Sequence, residues 1–240
     1  MDGSTDVEAA RLVAKHLDTE HHEVRFTSKE GIDALHKVIY ALESFDIGTI
    51  RSSLPMYLVS KYIKENTDTT VIFSGEGSDE LCQGYMYFHK APTAQDSHDE
   101  SCRLLKDLYL YAVLRTDCIT AAHGLEVRVP FLDKDFTSYY LSLPPEDRQP
   151  QNGVEKHLLR SAFSGTGLLP DKILWRPKIV FSDGVSSREL EKSWNSLLQK
   201  HVGNKVSSYP YGHSNLISCC LLYTSPSPRD ATLSRMPSSA

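Results

Sequence analysis

The sequence lacks the features of a membrane-bound or strongly cationic protein. Its longest uninterrupted apolar run, Leu108 to Leu114, is far shorter than a membrane-spanning helix. Residues 1–20 carry acidic side chains and no apolar segment of a secretory signal. Because 26 Lys and Arg stand against 31 Asp and Glu, for a net charge of −5, the cationic field that sequence-independent nucleic-acid binding needs is missing. We therefore expect neither nucleic acid nor a membrane as a partner.

Cysteine pairs with the spacing of a zinc site or a redox site are also lacking. The number of cysteines is odd, and none forms a C-x-x-C pair; they are Cys82, Cys102, Cys118, Cys219 and Cys220. Reduced thiols are the simplest interpretation, since disulfides persist in oxidising compartments. We therefore expect a cytoplasmic location.

The chain has enough length and apolar content for one large domain. It has 240 residues, of which 40% are hydrophobic, and a chain of this size builds a core without disulfides or metals. From Ser207 onward the composition shifts to Ser and Pro without helical or strand periodicity. We therefore predict a domain over residues 1–206 and a disordered or non-native tail over residues 207–240.

The patterning predicts an α/β fold. Two capping boxes, Thr5-x-x-Glu8 and Thr27-x-x-Glu30, precede helical apolar stripes, and residues 23–26 between them alternate like a short strand. A third helix is predicted over 55–64, with Ser52 or Ser53 as its cap. The apolar run 71–73 has the profile of a buried parallel strand. Further helices are predicted over 102–114, 116–123, 134–141 and 154–163.

An acidic glycine-rich turn follows the 71–73 strand, in the stretch Ser74 to Gly84. A strand, a glycine turn and a helix start bring free backbone N–H groups together, which suits phosphate or carboxylate. Because Glu76, Asp79 and Glu80 would repel a polyphosphate, that interpretation requires a bridging Mg²⁺. The alternative is structural, with Ser78 capping the helix and the acids complementing its dipole. The third glycine of a dinucleotide fingerprint is absent.

Three other stretches carry charged residues with two interpretations each. Glu126 and Arg128 form either a charge pair on an edge segment, as Pro130 suggests, or a group that organises carboxylates under a site. In the loop over 175–184, Arg176 and Lys178 are either solvated cations or groups that stabilise a negatively charged intermediate. Arg51 lies in what we interpret as a loop between two helices, where an arginine is usually a surface charge.

Together these stretches resemble the C-terminal synthetase domain of glutamine-dependent asparagine synthetase. The resemblance covers roughly residues 1–206, and the segments that carry it are 73–80 (FSGEGSDE), 83–92 (QGYMYFHKAP), 121–133 (AAHGLEVRVPFLD), 152–160 (NGVEKHLLR) and 174–178 (LWRPK), with 181–184 (FSDG). It implies the pyrophosphate-loop ATPase fold, a parallel sheet with a helical extension. It also implies that Mg-ATP converts aspartate to β-aspartyl-AMP, from which glutamine-derived ammonia displaces AMP to give asparagine.

The resemblance also implies a role for each matched residue. Ser74, Gly75 and Gly77 would contact the nucleotide, and Asp79 would hold Mg²⁺ and pyrophosphate. Glu76 would act in adenylation and handle the ammonia proton, and Lys178 would neutralise charge on the leaving pyrophosphate. Substrate binding would fall to Arg51, whose guanidinium suits the aspartate α-carboxylate, and to Thr49 and Glu80.

The sequence departs from the family pattern in ways that indicate a fragment. Asp2 follows Met1 where the family has the glutaminase cysteine, and the Ser-Gly-Gly-x-Asp-Ser loop that ends the family's first strand does not occur. Gly48 and Ile179 replace a threonine and an acid, and the family's C-terminal helices give way to the Ser/Pro tail. We therefore expect an incomplete sheet and a weakly active or inactive chain.

Two alternatives to that function stay open at this stage. One is a non-catalytic module that forms a homo-oligomer or associates with full-length synthetase through helices left exposed by truncation. The other is an adenylating ligase similar to β-lactam synthetase, which Arg51 in the aspartate position disfavours.

Overall fold

The structure, a computed structural model, describes residues 4–44, 46–179, 197–198 and 200–201. These residues are mostly helical and include one two-stranded parallel sheet. In chain order the elements are α1 (Thr5–Leu17), α2 (Ser28–Leu42), α3 (Ile47–Asn66), β1 (Val71–Phe73), α4 (Ser78–Leu81), α5 (Ala94–Asp107), α6 (Ala112–Ala121), β2 (Glu126–Arg128), α7 (Lys134–Ser142), α8 (Pro145–Arg148), α9 (His157–Phe163) and α10 (Asp171–Leu174).

The capping signals place both of the first two helices, but the capping box predicted at Thr5-x-x-Glu8 is wrong by one residue, because Ser4 is the N-cap of α1. Ser4 caps α1 by accepting the N–H of Val7. The Thr27–Glu30 capping box is formed in both directions at the start of α2. The strand predicted over 23–26 is wrong, because the structure assigns no strand to this segment, and Glu23 forms an ion pair with Arg11.

The third helix begins earlier than its predicted start. Asp46, not Ser52 or Ser53, is its N-cap, and α3 runs from Ile47 to Asn66 with Pro55 in its interior. The prediction of a loop around Arg51 is therefore wrong. The Asp46 carboxylate explains the difference, because it accepts the Thr49 N–H in the first turn, more than two helical turns before Pro55.

Replacing Asp46 by alanine is expected to destabilise the protein by about 1 kcal/mol, the usual cost of losing an N-cap. Asp46 Oδ1 accepts both the backbone N–H and the hydroxyl of Thr49, each at 2.6 Å. Urea unfolding of the variant measures the loss. Asp68→Ala, at an exposed position after the same helix, is the control, and an equal loss in both variants would contradict the capping role.

The parallel strand is confirmed, but its burial is not. β1 pairs with β2 in parallel, with Ile72 opposite Val127. The Phe73 side chain is 78% exposed and Val71 is 42% exposed, so the prediction of a buried strand is wrong for this chain. Parallel strands become buried when neighbours and helices cover both faces, and within the described residues β1 pairs with β2 alone.

The main apolar core lies between α2, α3 and α6. Val38, Leu42, Leu54 and Ile119 are each at most 1% exposed and pack in one cluster. A second cluster joins Leu81 and Cys82, at α4, to Tyr140 of α7. Since α4 directly follows the acidic turn, this cluster fixes where that turn lies.

The later helices differ from the prediction in number and in extent, since four were predicted and the described residues from Ala94 to Ile179 form six, α5 to α10. The helix predicted over 102–114 is instead α5, which starts at Ala94 with Thr93 as its cap, a 3₁₀ turn over Leu108–Leu110, and α6. α7 agrees with its prediction to within one residue, and α9 begins three residues later than expected. Within the described part of the chain, no helix is long and apolar enough to cross a membrane.

Candidate active site

The acidic turn leaves the sheet at Ser74 and is fixed at both ends. Ser74 donates its N–H to the carbonyl of Arg128 on β2 at 2.8 Å, and its hydroxyl accepts the N–H of Glu76 at 3.3 Å. Gly77 has a φ of +87° and is the N-cap of α4. The Ser78 capping alternative is therefore wrong, and a Cβ at Gly77 would lie 2.3 Å from Leu132 Cδ2.

Lysines supply the positive charge at this turn. α4 has four residues, so its dipole is too short to be the anion seat that the sequence suggested. Asp79 instead forms ion pairs with Lys178 and, at 2.7 Å, with Lys156. Lys156 also donates to the Ser78 hydroxyl at 3.2 Å. The contact between Asp79 Oδ1 and Lys156 is an ion pair without hydrogen-bond alignment.

The two ammonium groups control the ionisation of Asp79. Burial raises the pKa of its carboxyl, but the charges of Lys156 and Lys178 outweigh burial and hold that pKa below its ordinary value. Gly84 makes the arrangement sterically accessible, because a Cβ there would lie 2.0 Å from Asp79 Oδ1 and 2.3 Å from Lys156 Cε. The site therefore holds one carboxylate between two cations.

Asp79→Asn is expected to lower stability at neutral pH by about 2 kcal/mol, less than for a fully buried pair because these side chains keep some solvent contact. The folded-state pKa of Asp79 lies below its unfolded value. Its contribution is therefore present above the unfolded pKa and is lost as the pH falls through the folded one. Urea unfolding should show the difference between wild type and variant shrinking below about pH 4. A pH-independent difference, or an equal loss in Asp68→Asn, would contradict this.

Glu76 faces a different partner, Arg115 of α6. The guanidinium Nη2 donates to Glu76 Oε1, and the two side chains are only 12% and 18% exposed. Arg115 Nε is buried and has no hydrogen-bond partner within the described residues. The sequence contained no signal for this pair, because its members are 39 positions apart and Arg115 fell between two predicted helices.

Glu80 points into the protein interior. It is 2% exposed, and its Oε1 accepts the hydroxyl of Tyr85 at 2.5 Å. The Lys178 ammonium lies 5.7 Å from the centre of the Tyr85 ring, within cation–π range. Tyr85 thus joins Glu80 and Lys178, although the sequence analysis assigned it no role.

The residues expected to bind aspartate lie on α3. The Thr49 hydroxyl is buried and donates to Asp46. Arg51 Nε is buried and has no hydrogen-bond partner in the described part of the chain. Among the described residues, no hydrogen bond or ion pair joins Arg51 to Asp79 or Lys178. A cavity of about 520 Å³ contains none of the candidate residues; it is lined by Leu105, Leu108, Tyr109, Val113, Leu132, Lys134, Thr137 and Ser138.

The two cations of the 175–184 loop diverge. Arg176 pairs with Asp6 of α1 at 2.6 Å and also donates to Thr5, whereas Lys178 reaches Asp79. Of the two, only Lys178 enters the candidate site. Residues 181–184 lie outside the described residues.

The charges on β2 have the plainer of their two roles. Arg128 pairs with Glu126 at 2.7 Å, and both side chains are about 60% exposed. The alternative in which Arg128 organises carboxylates under the site is wrong.

The carboxylate oxygens of Asp79 are not free to bind a Mg²⁺ ion in this arrangement. Both carboxylate oxygens already face an ammonium group, and a cation there would have to displace one of them. Within the described residues, no group of three or more His, Cys, Asp or Glu is placed to hold a metal.

The sequence model of the asparagine synthase family matches residues 1–98 and 91–222. The chain belongs to the asparagine synthase family. It is 61% identical over 206 residues to asparagine synthetase [glutamine-hydrolyzing] of Mesocricetus auratus and of Gallus gallus, and 60% identical to that of Homo sapiens. The alignment covers 86% of this chain and 36% of each relative. The chain therefore spans about a third of the length of these asparagine synthase relatives.

Proposed function

We propose that this chain forms part of the synthetase domain of an asparagine synthetase, over residues 1–206, with residues 207–240 as a separate tail. The reaction proposed is the ATP-dependent conversion of aspartate to asparagine through β-aspartyl-AMP, with ammonia derived from glutamine. The single observation that carries the proposal is the convergence of Lys178 and Lys156 on Asp79, directly after the acidic turn. The small parallel sheet is consistent with the pyrophosphate-loop ATPase fold that we propose.

Anion binding is the chemistry for which the Asp79 cluster is suited. The two ammonium groups that meet at Asp79 can bind the phosphates of ATP and stabilise the pyrophosphate leaving group. We propose that Lys178 stabilises the charge that develops on pyrophosphate. Ser74, Gly75 and Gly77 would contact the nucleotide, and a Cβ at Gly75 would meet no atom within 4 Å, which leaves that backbone open to a ligand.

Glu76 is the proposed acid–base residue. Arg115 holds its carboxylate in one direction, and a positioned carboxylate accepts a proton from an attacking amine. Mg²⁺ is proposed only as a companion of the nucleotide phosphates, since Asp79 as described is paired with lysines.

Aspartate recognition is assigned to α3. A buried guanidinium nitrogen without a hydrogen-bond partner is costly, and at Arg51 Nε a substrate carboxylate would remove that cost. Thr49 lies two residues before Arg51 on the same helix, and Glu80 is the third member of the proposed set. Their contacts in this chain are structural, with Asp46 and Tyr85 respectively.

A chimera tests the proposal. Residues 1–206 replace the matching segment of a catalytically active relative, and aspartate-dependent ATP–pyrophosphate exchange and asparagine formation are measured. We expect both activities in the chimera and little exchange by the isolated 240-residue chain. A soluble chimera that shows no exchange would contradict the proposal, and a cyclised product in place of asparagine would favour the β-lactam synthetase alternative.

A second candidate, association with a longer synthetase chain, rests on the exposure of β1. Phe73 is 78% exposed on a strand paired with β2 alone within the described residues, and such a strand is a template for further pairing. Size-exclusion chromatography with and without an intact relative tests it. Co-elution that Phe73→Lys abolishes is the expected result, and separate elution at all mixing ratios would contradict it.

A further inference from the structure

Glu155 is a buried carboxylate to which the sequence analysis gave no role. It lies just before α9 and is 3% exposed. Its Oε1 accepts the backbone N–H of Lys178 at 2.6 Å and lies 3.3 Å from Arg160 Nη2. His89 Nε2 is 4.0 Å from its other oxygen. A carboxylate that accepts a backbone N–H in a buried setting fixes that backbone more strongly than a neutral acceptor does.

Arg160 contacts the other end of the segment 174–178, whose last residue is bound by Glu155. Its Nε donates to the Glu155 carbonyl at 2.8 Å, and its Nη1 donates to the Leu174 carbonyl. Glu155 and Arg160 therefore hold the segment 174–178 at both ends, from the last residue of α10 to Lys178. The side chain of Lys178 leaves this held segment toward Asp79.

The residue after Glu155 is the other lysine of the site. Lys156 has a φ of +55°, a backbone conformation rare for a residue with a side chain. Its ammonium contacts both Asp79 and Ser78. One short turn thus positions Lys156 through its own backbone and Lys178 through the Glu155 carboxylate. Strained backbone of this kind concentrates at functional sites.

We propose that Glu155 is a positioning residue, which sets the Lys178 ammonium against Asp79 by binding the Lys178 backbone. The proposal rests on the proposed function for the reaction that Lys178 serves, but its geometry is testable without any substrate. Glu155 contacts neither the acidic turn nor Asp79 in the described contacts, so it acts through Lys178.

The experiment is lysine acylation of the full chain by a water-soluble N-hydroxysuccinimide acetate, without nucleotide, followed residue by residue by mass spectrometry. The variants are Glu155→Ala, which removes the acceptor, and Glu155→Gln, which keeps an oxygen for the Lys178 N–H. Lys172, exposed on α10, is the internal reference. Far-UV circular dichroism checks the folding of each variant, and Glu155→Gln carries the test if Glu155→Ala does not fold.

We expect Glu155→Ala to raise the acylation rate of Lys178 about tenfold, the factor that corresponds to losing a hydrogen bond to a charged group. Lys156 should change by less than about threefold, because Asp79 and Ser78 still hold its ammonium. Glu155→Gln should fall between wild type and Glu155→Ala. An unchanged Lys178 rate, an equal rise at Lys156, or a Glu155→Gln rate equal to that of Glu155→Ala would each overturn the proposal. Failure of the chimera to catalyse exchange would contradict the proposed function and leave this result standing.

Discussion

Lys178→Met, introduced into the chimera, is expected to lower aspartate-dependent ATP–pyrophosphate exchange by about 10²–10³-fold, the usual effect of removing one group that stabilises developing charge. The ammonium of Lys178 is ion-paired to Asp79 and lies over the Tyr85 ring. In the proposed mechanism, negative charge accumulates beside this cluster as pyrophosphate departs, and the thioether of methionine cannot stabilise it. The loss should appear in kcat, while KM for aspartate changes little because Arg51 is the proposed aspartate ligand.

Two further variants make that experiment decisive. Lys172→Met removes an exposed lysine from α10 and should leave the exchange rate unchanged. Lys178→Arg keeps the charge but changes its shape, and we expect it to recover part of the rate. If Lys178→Met retained most of the exchange activity, or if the loss lay entirely in KM for aspartate, Lys178 would not have the proposed role.

Gly77→Ala is expected to destabilise the protein by about 3 kcal/mol, which combines the cost of a left-handed conformation with that of overpacking. The new Cβ would lie 2.3 Å from Leu132 Cδ2 and 2.6 Å from Leu132 Cγ. At this separation the Leu132 side chain, the acidic turn or the 3₁₀ turn Pro130–Leu132 has to move. Urea unfolding, with the slope checked against wild type, measures the loss.

A neighbouring glycine supplies the matched control for Gly77→Ala. Gly75 lies two positions earlier in the same turn, and a Cβ there would meet nothing within 4 Å. Gly75→Ala should therefore change stability by no more than about 0.5 kcal/mol. The double variant Gly77→Ala with Leu132→Ala relieves the clash but keeps the backbone strain. If it is as unstable as the sum of its single variants, the contact with Leu132 is not the cause.

Local signals in the sequence predicted local structure well. Thr27 and Glu30 placed the start of α2, and the apolar run 71–73 placed β1 and its parallel pairing. The start of α3 was predicted wrongly because Ser52, Ser53 and Pro55 together mimic a helix start, while Asp46 supplies the actual cap. When two possible N-caps precede the same apolar stripe, as Asp46 and Ser52 do here, residue spacing alone does not show which one starts the helix.

The candidate site was predictable only where its residues adjoin in sequence. The turn from Ser74 to Glu80 was found because a strand, glycines and acids follow one another. Its cationic partners Arg115 and Lys156 lie 39 and 78 positions from their contacts, and they come close only through tertiary packing. Helical periodicity and charge spacing carry no information on contacts of that range. The family match established what kind of domain this is, but not which charges meet.

The pair between Glu76 and Arg115 makes the acidic turn dependent on distant helices. Arg115 lies one helical turn from Ile119, which packs in the main core against α2 and α3. The orientation of the Glu76 carboxylate is thus inherited from how three helices pack. A transplant of the stretch from Ser74 to Gly84 into another scaffold therefore also requires α6 and the core residues of α2 and α3 on which α6 packs. Without them the transplanted stretch would keep its sequence, but the Glu76 carboxylate would face solvent instead of Arg115.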